Sequence, residues 1–102
     1  MSIKNRKQPL ITDEQVKGIV DVMTSLGADP QDRYGLAHSL RNVESYWGGV
    51  FEWTDRAIGV RLWVHKHLFT DQVSAANVGA HGLDLPDEEI RTANERLLAL
   101  FK

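Results

Sequence analysis

The chain has 102 residues, which favours a single domain, and its formal net charge of −2 argues against general attraction to nucleic acid or anionic membranes. It contains no cysteine, so a disulfide framework, a thiolate zinc site and a catalytic cysteine are excluded. No stretch approaches the roughly 20 apolar residues of a membrane-spanning helix. Because cysteine-free chains suit a reducing compartment, we expect a cytoplasmic protein that does not enter the membrane.

The start of the chain divides into an arm and a helix. Residues 1–11 are expected to form a flexible N-terminal arm, and residues 12–102 a single helical domain. Thr12 and Gln15 stand three residues apart in the capping-box pattern, and apolar residues recur at helical spacing after them. These signals predict a first helix over residues 13–26.

Three further helices are predicted from start and stop signals. They are a helix over residues 30–47 that Asp29-Pro30 opens and Gly48-Gly49 ends, a short helix over residues 71–78, and a last helix that Pro86 opens. Such a succession is typical of a small helical bundle.

The aromatic-rich stretch from Tyr46 to Phe69 holds all three tryptophans, so we expect it at the centre of the core. Within it, residues 50–69 fit two patterns. Thr54 and Asp55 form a good helix start, and apolar residues on several sides suit a helix buried nearly all round. Alternating apolar residues fit instead a hairpin at about 50–64 with its turn near 54–56. We predict the helix, and therefore a mainly α bundle of four to five helices; the alternative is an α+β fold.

Residues suited to catalysis or metal binding occur without a diagnostic arrangement. On a helix, His65 and His67 would point about 200° apart and could not share a metal, whereas on a strand they would point the same way. Glu44 and Glu52 flank the tryptophan-rich turn, and two acids near aromatic surface suggest glycoside chemistry, but their spacing is not specific. The glycines match no phosphate-binding pattern. We therefore expect no enzyme, no cofactor and no metal site.

The leading functional prediction is a non-catalytic protein-binding module, such as an adaptor, an inhibitor or a regulatory protein. Accessory proteins of phages and plasmids that act on a host protein fit this profile. If residues 48–53 form an exposed loop, Phe51, Glu52 and Trp53 are the expected contact residues, because aromatic anchors dominate protein interfaces. An exposed edge at Leu98 and Leu100 would favour a homo-oligomer through the C-terminal helix.

The alternative function is a nucleic-acid-associated regulator that uses the basic arm and the second helix. Its expected contact residues are Lys4, Arg6, Lys7, Arg33 and Arg41. The first two helices superficially resemble a helix-turn-helix, but the second of them begins with an acidic residue, Asp32, and its basic residues do not cluster. Nucleic acid is therefore the less expected partner.

Overall fold

A computed structural model describes residues 11–29, 35–80 and 86–102. Within these ranges the chain forms helices α1 (Asp13–Ser25), α2 (Leu36–Leu40) and α3 (Asp87–Ala99), and strands β1 (Val50–Asp55), β2 (Val60–Lys66) and β3 (Val73–Ala80). A 3₁₀ turn, Val43–Ser45, precedes β1. The strands form one antiparallel sheet in the order β1-β2-β3, so the architecture is α+β.

The predicted bundle of four to five helices is therefore wrong, and residues 50–66 form the hairpin of the alternative prediction. Strands β1 and β2 pair from Val50 opposite His65 to Asp55 opposite Val60, so the turn covers residues 56–59 rather than 54–56. Asp55, interpreted above as part of a helix start, instead ends β1. Its Oδ1 accepts a hydrogen bond of 2.9 Å from the Ala57 N–H, a local contact that favours a turn.

Two more predicted helices are corrected by the structure. Residues 71–78 contribute most of β3 rather than a short helix. Of the helix predicted over residues 30–47, the described part contains only α2 and the 3₁₀ turn, and its predicted start at 30–34 lies outside the described residues. After α2, the Asn42 side chain accepts a 3.0 Å hydrogen bond from the Glu44 N–H, and such local bonds compete with helix continuation.

Helices α1 and α3 follow their sequence signals. Thr12 and Gln15 exchange two side-chain-to-backbone hydrogen bonds of 3.0 Å, which confirms the capping box. Helix α3 begins directly after Pro86, as predicted. The Gln15 Nε2 also donates to the Leu100 carbonyl at 3.2 Å, so the start of α1 is fastened to the end of α3.

The helices and one face of the sheet share a single buried core. Its members come from α1, α2, all three strands and α3, and its largest fully buried side chains are Ile19, Met23, Leu36, Leu40, Leu62, Leu97, Val22, Val60 and Val64. The pairing register places alternate strand residues on the opposite, outer face. No side chain of that outer face is buried, and no described helix covers it.

The two edges of the sheet differ in whether other described residues hydrogen-bond to their outward backbone groups. At the β3 edge, Asn94 of α3 accepts a 2.8 Å hydrogen bond from the Val78 N–H and donates to its carbonyl at 3.1 Å. At the β1 edge, antiparallel alternation directs the backbone groups of Glu52 and Thr54 away from β2. No hydrogen bond from the described part of the chain reaches them, so β1 is an open edge as far as residues 11–29, 35–80 and 86–102 are concerned.

The hydroxyl of Tyr46 is buried and donates a 2.8 Å hydrogen bond to the Leu40 carbonyl. Burial raises the pKa of the phenol well above its ordinary value of 10.0, because the charged form would lose its hydration. The unfolded chain can therefore ionise this group at a pH where the folded chain cannot. The associated stability is complete below about pH 10 and is lost as the pH rises further.

Tyr46→Phe is expected to make unfolding less sensitive to alkaline pH. Above about pH 10 the wild type should lose up to about 1.4 kcal/mol more per pH unit than the variant, since one proton fewer is released on unfolding of the variant. At pH 7 the variant should be about 1 kcal/mol less stable, because the Leu40 carbonyl loses its partner. Urea unfolding of both proteins at pH 8 and pH 11 measures this; parallel losses of stability would contradict it.

Candidate recognition surface

The three predicted contact residues, Phe51, Glu52 and Trp53, differ in burial and lie on two faces of β1. Phe51 is buried, with 6% of its surface exposed, and its ring lies 5.6 Å from that of Tyr46. Trp53 is half-buried and packs against the same core, while Glu52 is exposed on the outer face. Successive side chains on a strand point to opposite faces, so Phe51 and Trp53 are on the core side of β1 and Glu52 is on the outer side.

Most residues of the predicted nucleic-acid surface, Lys4, Arg6, Lys7 and Arg33, lie outside the described residues. Arg41 is described and exposed. Its Nη2 donates a 3.1 Å hydrogen bond to Asp13 Oδ1 at the start of α1. The one described member of this set is thus already paired with a carboxylate.

Large exposed apolar side chains gather at one end of the sheet. Trp47 is 84% exposed, Leu68 63% and Phe69 96%. Trp47 lies in the turn before β1, and the other two lie in the loop between β2 and β3. We call Trp47, Leu68 and Phe69 the apolar tip. Exposed apolar groups that cluster, unlike single ones, mark sites where another molecule binds.

The turn and the loop that carry the apolar tip contact each other. The Lys66 N–H donates a 2.8 Å hydrogen bond to the Gly49 carbonyl. A side chain at Gly49 would start only 3.1 Å from Leu68 Cδ2, so glycine allows this close approach. Gly48 and Gly49 both have positive φ, 59° and 87°, and the backbones of Trp47 and Val50 bond each other in both directions. This is the geometry of a tight turn that two glycines permit.

An ion pair between Lys66 and Asp71 also stabilises the loop between β2 and β3. Lys66 Nζ lies 2.7 Å from Asp71 Oδ1, and the Lys66 side chain is only 7% exposed. Lys66 Nζ donates to the His67 carbonyl as well, and the Asp71 N–H donates to that same carbonyl. Leu68 and Phe69 therefore protrude from a loop with a defined backbone, which lowers the entropy that binding would cost.

Trp63 lies at the centre of the outer face. Its Nε1 donates a 2.9 Å hydrogen bond to Glu52 Oε2 on β1. The far edge of its ring reaches β3, where a side chain at Gly79 would start 3.2 Å from Trp63 Cζ3. Arg61 lies on the other side of Glu52, with its Nη1 3.7 Å from Oε2 and its Nε donating to Thr54 Oγ1 at 3.2 Å. The indole is thus held across the sheet by its neighbours.

A groove beside β1 connects the outer face to the apolar tip. It is lined by Ser45, Trp47, Val50, Phe51, Glu52 and Trp63 and has a volume of about 670 Å³. Its lining residues include two tryptophans, one serine and one glutamate. The volume lies within the range of small-ligand sites, so a single side chain of another protein fits.

The residues considered for catalysis and metal binding are separated. His65 Nε2 forms a 3.1 Å hydrogen bond with Asn77 Oδ1 on the outer face, while His67 is exposed in the loop after β2. Glu44, on the 3₁₀ turn, does not line the groove that Glu52 lines. Over residues 11–29, 35–80 and 86–102, no three histidine or acidic side chains are grouped as metal ligands would be. None of the helices in these ranges has the length and apolar character needed to cross a bilayer.

Sequence reasoning missed the apolar tip and Trp63. The sequence patterns predict that Leu68 and Phe69 lie in a buried helix and that Gly48-Gly49 ends the helix before it. A Gly-Gly pair between apolar residues is also a signal for a two-residue turn, and that signal could have placed Trp47 at an exposed corner.

Comparison of the chain with protein-family models, with curated proteins and with solved structures found no significant match.

Proposed function

We propose that this protein is a non-catalytic binding module that docks onto a partner protein through the apolar tip. An adaptor, an inhibitor or a regulatory protein, including an accessory protein of a phage or plasmid, would work in this way. The observation that carries the proposal is the exposure of Trp47, Leu68 and Phe69 at one end of the sheet.

Exposed tryptophan and phenylalanine side chains are costly to keep in water, and they supply much of the energy of protein interfaces when a partner covers them. Both the turn and the loop that carry them are fastened, by Gly49 and by the Lys66–Asp71 ion pair. A preformed apolar surface loses little conformational entropy on binding. These features support docking of a folded partner more than capture of a charged polymer.

Self-association through α3 has weaker support. Leu98 is 58% exposed, whereas Leu100 is half-buried and already packs against the core. One exposed leucine offers a small apolar contact compared with the three large side chains of the apolar tip. Leu98 therefore serves as the matched control in the experiment below.

Trp47→Ala and Phe69→Ala are each expected to reduce partner capture at least about tenfold, because each removes an aromatic anchor. Both side chains are mostly exposed, so the free energy of unfolding should change by less than about 0.5 kcal/mol. The tagged wild type and variants are used to capture proteins from lysate of the source cell after nuclease treatment, with quantification by mass spectrometry.

Leu98→Ala, the control variant, should capture the same partner as the wild type. Partners that all variants retain equally would contradict the proposal. Partners that disappear with nuclease would favour the nucleic-acid alternative, and the binding of purified protein to DNA and RNA would then fall steeply with salt.

A further inference from the structure

We propose that the groove beside β1 binds an arginine side chain of the partner protein. The inference rests on the proposed function, since it names the chemistry of the partner that docks on the apolar tip. Trp47 belongs both to the apolar tip and to the wall of the groove, so one partner surface can occupy the two at once.

The chemistry of the groove favours a cation. Trp47 and Trp63 present indole rings, whose faces attract cations, and Glu52 contributes a carboxylate. No lysine, arginine or histidine is among the described residues that line the groove, and the guanidinium of Arg61, 3.7 Å from Glu52 Oε2, lies outside this lining. A neutral apolar side chain would leave one carboxylate oxygen of Glu52, Oε1, with less solvent and without a partner, which is unfavourable.

The acceptors in the groove suit a guanidinium better than an ammonium. The second carboxylate oxygen of Glu52, Oε1, has no hydrogen-bond partner within the described chain. The backbone carbonyl of Glu52 points away from β2, and Ser45, which carries a hydroxyl, is also among the residues that line the groove. Arginine carries five N–H donors in a planar group that can also stack on an indole, whereas lysine offers a compact charge.

Within the protein, the Arg61 guanidinium already contacts the Glu52 carboxylate. On the outer face, Glu52 lies between Val50 and Thr54, and Arg61 approaches it from the Thr54 side. The groove lies on the Val50 side, since Val50 lines it and Thr54 does not. One carboxylate can accept from two guanidinium groups, so the incoming arginine would complete a contact that is half made within the protein.

The test uses purified full-length protein and two probes, N-acetylarginine amide and its uncharged analogue N-acetylcitrulline amide. The indole N–H signals of the three tryptophans are followed by nuclear magnetic resonance during titration. We expect saturable shifts at Trp47 and Trp63 with the arginine probe, little change at Trp53, and binding of the citrulline probe at least about fivefold weaker.

Glu52→Gln should weaken binding of the arginine probe at least about fivefold, because the amide removes the charge but can still accept from the Trp63 N–H. Glu44→Gln, at an exposed carboxylate outside the groove, is the matched control and should bind as the wild type does. Equal binding of both probes, equal shifts at Trp53, or unchanged binding by Glu52→Gln would each overturn the inference.

The two proposals fail in different ways. If Trp47→Ala and Phe69→Ala lose the partner but the arginine probe does not bind, docking through the apolar tip stands and the arginine site is wrong. If the arginine probe binds at the groove while the variants of the apolar tip retain every partner, the proposed function is wrong.

Discussion

Replacing Phe51 by alanine should destabilise the protein by about 3–5 kcal/mol, because the ring is buried and packs against Tyr46. A domain of this size has about 5–15 kcal/mol of total stability, so this loss would unfold a large part of the population at moderate temperature. The sequence suggested Phe51 as a partner anchor. The structure assigns its side chain to the core.

Urea unfolding of Phe51→Ala, followed by tryptophan fluorescence, gives the loss of stability directly. Trp47→Ala is the natural comparison, since its side chain is aromatic and near in sequence but 84% exposed. We expect a large shift of the midpoint for Phe51→Ala and almost none for Trp47→Ala. A Phe51→Ala protein that is as stable as the wild type and fails only to bind its partner would contradict this assignment.

Asp71→Asn should destabilise the protein by about 2 kcal/mol. The Lys66 side chain is 7% exposed, and losing its carboxylate leaves a buried charge without compensation. The loss is smaller than for a fully buried pair because Asp71 is itself 37% exposed. Asparagine tolerates the positive φ of 58° at this position, so the effect reports on the ion pair and not on the backbone.

The control for Asp71→Asn is Asp21→Asn. Its partner Lys17 lies 3.9 Å away with both side chains more than half exposed, so its loss should cost less than about 0.5 kcal/mol. The double variant Lys66→Met, Asp71→Asn should recover part of the stability, because no unpaired charge remains buried. Equal losses for Asp71→Asn and Asp21→Asn in chemical unfolding would contradict a structural role for the buried pair.

Partner capture by Asp71→Asn provides a link between stability and function. The ion pair fastens the loop that carries Leu68 and Phe69, so its loss should increase the motion of these residues before binding. Binding must then order the loop, and affinity should fall even where the protein remains folded.

Local signals were sufficient where the chain makes its own hydrogen bonds. Thr12 and Gln15 cap α1 through contacts only three residues apart. Pro86 suits the start of α3 because its ring fixes φ near the helical value and it has no backbone N–H to satisfy. Nothing distant is needed to interpret these patterns. This is why the positions of α1 and α3 were predicted from the sequence.

The segment after Gly49 required the tertiary structure. Thr54 and Asp55 form a plausible helix start, and apolar side chains on several sides are equally compatible with a buried helix and a hairpin. The choice depends on β3, the next segment along the chain, whose residues 73–78 are predicted to be helical but instead pair with β2. A strand is stabilised by its neighbours, so its own residues do not determine it alone.

Exposure was likewise decided by the fold. The sequence by itself determined that this chain has neither a disulfide framework nor a thiolate metal site, and that its tryptophans fall within one aromatic-rich stretch. The sequence could not determine which aromatic side chains would be buried in the core and which would be exposed. Phe51 and Trp47 are four residues apart, yet their exposure differs. Phe51 is turned inward because β1 pairs with β2 and its alternate side chains face the core, whereas the glycine turn that bridges Trp47 to Val50 leaves the Trp47 side chain in solvent.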